Sequence, residues 1–75
     1  MSARSLRSLA RGERALVSTI ETTAARMDKL AAIGIMPGVE VRVQQRIPVV
    51  VIECGETVLA LEHELAEQIM VAPLA

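Results

Sequence analysis

The segment LAAIGIMPGVEVRV, residues 30–43, constrains this chain most, because a helical pattern stops in it and a strand pattern starts within a few residues. Upstream, Met27, Leu30 and Ala31, with Ala24 or Ile33, recur at three- and four-residue spacing. They predict one apolar stripe on a helix that leaves Arg26, Asp28 and Lys29 outside. Thr22 and Thr23 precede it as N-cap candidates, since a threonine hydroxyl accepts from the free amides of the first turn. The helix should stop at Gly34, which enters the left-handed region without steric cost, and Ile35 should fold back onto the last turn. Pro37-Gly38 suits the two central positions of a type II turn. Gly34, Pro37 and Gly38 are therefore read as structural. Beyond them Val39, Val41 and Val43 alternate with Glu40, Arg42 and Gln44, the period of a half-buried strand.

The rest of the chain adds short strands. RALVSTI at 14–20 contains β-formers; of its two alternating sets, Leu16/Ser18/Ile20 is preferred as the inward one over Ala15/Val17/Thr19 because it ends on the larger apolar residue. VVVIEC follows Pro48, and Gly55-Glu56 makes a two-residue hairpin loop into TVLAL. EHELAEQ at 62–68 reads as a short helical turn burying Leu65 and Ala66, and IMVA at 69–72 as a last strand ended by Pro73. Leu6 and Leu9, three apart, mark a single helical turn or a docking segment, and Arg11-Gly12-Glu13 a turn.

With 75 residues the chain is one domain, 1–75, and at this size folding buries only roughly 60% of the unfolded surface. None of its residues is aromatic, so the core must be aliphatic. The expected fold is mainly β with one helix: about five short strands closed into a small, bent barrel, plus the α-helix and the short helical turn. Closure is favoured because it removes exposed strand edges. Valine-rich strands at an edge leave pairing between copies, and hence a homo-oligomer, open.

Charge and composition exclude several classes. One cysteine, Cys54, rules out an internal disulfide and makes a reducing, cytoplasmic setting the default. The longest apolar run, Ile47 to Ile52, is six residues against the ~20 of a membrane helix, so no direct membrane insertion is expected. Residues 1–14 carry four arginines against Glu13, or +3; residues 53–75 carry five glutamates and no base, or −5. Small barrels that bind RNA use stacked aromatics and a basic groove; with no aromatics and a net charge of −1, nucleic acid is not expected, and a nucleic-acid barrel is the alternative that the N-terminal arginines keep open. The chain is not expected to be an enzyme: Cys54 and His63 are its only cysteine and histidine, with nothing to orient them as a pair. Glu62, His63, Glu64 and Glu67 are the metal-capable residues. His63 and Glu67 would share a helix face, but two ligands without a third anchor make a weak site, so neither a metal nor a cofactor is expected. IGIMPG lacks the Lys-Ser/Thr of a phosphate loop.

The order of these segments resembles the FeoA family of small cytoplasmic ferrous-iron-transport proteins. SLRSLARGERALVSTI is similar to the family's opening strand, MDKLAAIGIMPGVEVRV to its central leucine–glycine–proline–glycine signature, RIP at 46–48 to its arginine–proline element, and ETVLALEHELAEQIMV to its closing segment. The chain departs from the family in a shorter loop after Pro48, in Glu62 where arginine is frequent, and in Met27 before the central run. The resemblance implies an SH3-like barrel. It also implies an accessory role in ferrous iron uptake, with the cytosolic GTP-hydrolysing domain of the membrane iron transporter as partner. The same module also occurs fused to metal-dependent repressors and to the transporter. Under this reading the partner-contacting residues are Leu30, Ile35, Met36 and Pro37. Ile35 and Met36, held between two glycines, face either the core or that partner.

Overall fold

The computed structural model describes residues 4–74. Six strands form one sheet: β1 (Arg4–Ser5), β2 (Arg14–Ile20), β3 (Glu40–Gln45), β4 (Val50–Cys54), β5 (Thr57–Leu61) and β6 (Ile69–Pro73). Their order is β1-β6-β2-β3-β4-β5, with every pairing antiparallel. Two helices, α1 (Ala24–Ala32) and α2 (His63–Gln68), and a 3-10 turn at Leu6–Ser8 complete the described chain. The expected five-strand, helix and helical-turn arrangement is present. It gains the two-residue β1, which pairs with β6 and which nothing in the sequence pattern announces.

The core is aliphatic throughout. Leu6, Leu9, Val17, Ile35, Val41, Val43, Val50, Ile52, Ile69 and Val71 are its fully buried large side chains, and no polar residue is buried among the described residues. Leu6 and Leu9 resolve the choice between helical turn and docking segment: both are 1% exposed, so the 3-10 turn is a core element. The β4–β5 hairpin has the expected register, Cys54 opposite Thr57 across Gly55-Glu56 and Val50 opposite Leu61.

Two expectations are corrected. In β2 the inward set is not Leu16/Ser18/Ile20. Ala15 and Val17 are buried, Leu16 is exposed, and the register against β6 then slips between Val17 and Thr19 before Ile20 turns inward. A β-bulge inserts one residue on one strand and so flips the face of everything after it. Ser18 is that extra residue, with its hydroxyl donating to the Met70 carbonyl at 3.2 Å. Each alternating set is thus right for half the strand. The second correction concerns α1. Only Leu30 of the proposed stripe is buried, whereas Met27 and Ile33 lie 40% and 46% exposed. The helix lies at the surface and meets the core through Leu30 alone.

Candidate functional site

The junction between α1 and β3 is built by the backbone. Thr23 caps the start of α1, its hydroxyl accepting from the Arg26 amide at 3.2 Å. At the other end the Gly34 amide donates to the Ala31 carbonyl at 3.0 Å and the Ile35 amide to the Leu30 carbonyl at 2.8 Å. This is the paired pattern of a Schellman cap, with Gly34 at φ +94° supplying the left-handed residue. Ile35 then drops back into the core beside Leu30. The turn at Pro37-Gly38 closes with the Val39 amide donating to the Met36 carbonyl at 3.3 Å and Gly38 at φ +97°.

The loop is also tied to its neighbours. The Gly38 amide donates to the Val17 carbonyl and the Val17 amide to the Val39 carbonyl, both at 2.8 Å. The Cys54 thiol donates to the Gly34 carbonyl at 3.5 Å. Strands β2 and β4 therefore both hold the segment between the two glycines. What a partner can reach there is decided by burial. Leu30 is 5% exposed and Ile35 0%, so both are core residues and leave the partner-contacting set, because α1 and the cap drive them inward. Met36, at 41%, and Pro37 face solvent. The open choice for Ile35 and Met36 is divided: the first staples the helix end, the second projects. Beside the loop runs an open groove of about 700 Å³ lined by Ile33, Gly34 and Val39, the Arg14–Glu40 and Arg42–Glu53 ion pairs, and the hairpin end at Cys54 and Gly55.

The other sequence-level candidates are dispersed. Cys54 sits at the turn of the β4–β5 hairpin, while His63 follows the opposite end of β5, past Leu61, so the two do not meet. His63 and Glu67 do share α2, but each is engaged elsewhere. The His63 Nε2–H donates to the Arg46 carbonyl at 3.1 Å, and Glu67 pairs with Arg7. Among the described residues no three His, Cys, Asp or Glu side chains converge as a metal site. No helix among them is long and apolar enough to cross a membrane.

A small antiparallel sheet with an aliphatic core carries a backbone-fixed loop and a solvent-facing Met-Pro pair, and its fold is SH3-like, as its superposition on solved structures shows. The FeoA domain model matches residues 4–73, and the chain belongs to the FeoA family. Solved structures agree. An iron uptake regulatory protein (FeoA) superposes with a TM-score of 0.88 at 24% identity, over 99% of this chain and all of the other. FeoA from Chlorobium tepidum gives 0.88 at 27% identity, over 95% of this chain and 70% of the other. A manganese-dependent transcriptional repressor gives 0.84 at 25% identity, with 96% of this chain matching 42% of that longer one. Among curated proteins no significant match exists. Family membership places the chain among small proteins of ferrous iron transport.

Proposed function

We propose that this chain is a non-enzymatic cytoplasmic accessory of ferrous iron uptake that docks on the cytosolic GTP-hydrolysing domain of the membrane iron transporter. The observation that carries the reading is the FeoA match across 4–73. The loop supports it: Met36 and Pro37 project from a backbone held by two strands, so docking orders little that is not already ordered. Methionine suits such a surface because its unbranched thioether adapts to irregular partners.

Co-purification of the full chain with the transporter's cytosolic domain, under reducing conditions and with and without nucleotide, tests the proposal. Association that weakens when Met36 becomes Asp is expected. No association by the unmodified chain in either nucleotide state rejects the partner. Association indifferent to Met36→Asp keeps the partner and rejects the loop as its contact.

A further inference from the structure

Most ion pairs among the described residues do not join the basic N-terminal segment to the acidic C-terminal one. Arg4 pairs with Glu13, Arg14 with Glu40 and Arg42 with Glu53, at 3.1, 3.2 and 3.6 Å. One place is different. Arg7 and Arg11, from the N-terminal segment, and Arg46, from the segment after β3, line a single groove of about 570 Å³ with Gln44, Gln45, Ile47 and His63. One carboxylate, Glu67, pairs there, with Arg7. Arg11 and Arg46 form no ion pair among the described residues.

The groove is also tied together. An Arg46 guanidinium N–H donates to the Arg7 carbonyl at 3.4 Å, and His63 donates to the Arg46 carbonyl. These bonds fasten the 3-10 turn, the segment after β3 and the start of α2 to one another. Ile47 stands at the rim and, at 73%, is the most exposed of the large apolar side chains.

We propose that this groove binds an acidic peptide segment of a partner protein. Carboxylates of the segment engage Arg11 and Arg46, and a neighbouring apolar side chain covers Ile47. The guanidinium fork matches a carboxylate in two parallel hydrogen bonds. Like charges gathered in a chain of net charge −1 repel one another until an anion joins them. Ile47 distinguishes the occupant. An inorganic anion leaves it uncovered, and a single-stranded nucleic acid finds no aromatic to stack on. The groove contains neither Met36 nor Pro37, and the proposal stands without the iron-transport reading.

The test uses the full chain and a fluorescent peptide of alternating glutamate and leucine, followed by anisotropy and by amide chemical shifts. Its comparison probes are the same peptide with glutamine for glutamate, oligo-dT and inorganic phosphate. The glutamate peptide alone should bind, more weakly as salt rises from about 0.05 to about 0.3 M. Shifts should concentrate at Arg7, Arg11, Gln44–Ile47 and His63. Arg11→Glu with Arg46→Glu should lower affinity by roughly tenfold or more, and Ile47→Ser by less. Those side chains are exposed, so circular dichroism should be unchanged. The proposal is overturned by failure of the glutamate peptide to bind at low salt, or by equal affinity in the double charge reversal. Tighter binding of oligo-dT or phosphate than of the peptide also overturns it.

Discussion

The two helices are held in place by opposite means. The nine-residue α1 buries one side chain, Leu30, but carries a cap at each end: the Thr23 hydroxyl at its start and the Gly34–Ile35 pattern at its finish. The six-residue α2 has no side-chain cap, yet packs on the 3-10 turn, β1 and β6 and buries Ala66 completely. An isolated helix of either length is unstable in water. Local hydrogen bonding and burial are two separate remedies, and the molecule uses one for each helix. The difference suits position. The helix at the surface leads into the solvent-facing Met36–Pro37 loop, whereas the other is a plug against the N-terminal segment.

The comparison breaks most visibly at its buried member. Ala66→Asp places a carboxylate where no water reaches, at a cost comparable to the whole stability of a small domain, ~5 kcal/mol. Loss of amide-shift dispersion in the variant should show it. Ala25→Asp in α1 makes the same chemical change on an exposed first turn, where a negative charge suits the helix end; urea unfolding should move by no more than ~0.5 kcal/mol. Equal effects would mean that both helices are held by burial.

The next largest effect tests the cap. Gly34→Val should cost ~1–3 kcal/mol, since a β-branched residue resists a φ of +94°. A Cβ built there meets nothing within 4 Å, so the cost is conformational and not a clash. Gly34→Asn should therefore recover much of the loss. An equally unstable Asn variant would point to a steric cause. Thr23→Ala removes the other cap and should cost about 1 kcal/mol. Hydrogen exchange should then quicken in α1 while α2 keeps its protection.

The same division explains what could be read from the sequence. The Gly34 stop, the Pro37-Gly38 turn, the alternation through Val43 and the Gly55-Glu56 hairpin are local, because each is specified by residues within a few positions of one another. The facing of β2 was not, since the slip at Ser18 is set by pairing with β6, some fifty residues away. The apolar stripe of α1 misled because amphipathicity shows which face would be buried, not whether another element covers it. The candidate loop was legible as backbone, but the separation of buried Ile35 from exposed Met36 depended on the packing of Leu30 beneath the cap. The arginine groove was hardest to see. Arg7 and Arg11 are visible as part of a basic segment, while Arg46 joins them only through folding.

The smallest expected effect extends the comparison to the turn before β2, which, like α1, is held by hydrogen bonds at the surface. The Glu13 carboxylate accepts from the Ala10 amide at 2.9 Å and from the Arg4 guanidinium at 3.1 Å. The amide bond chiefly, with the nearby guanidinium adding to it, holds the carboxyl below its ordinary value of 4.5. A group whose pKa is depressed by folding stabilises the native state above its unfolded-state pKa, and that contribution disappears as pH falls through the folded-state value. Glu13→Gln keeps an acceptor for Ala10 and removes the charge. The stability difference between the native chain and this variant should therefore be constant near neutrality and shrink only below the ordinary carboxylate pKa. Urea titrations at neutral and acid pH measure it. A difference that grew on acidification would show that the native chain gains nothing from the ionised carboxylate, and that the turn is held by packing, as α2 is.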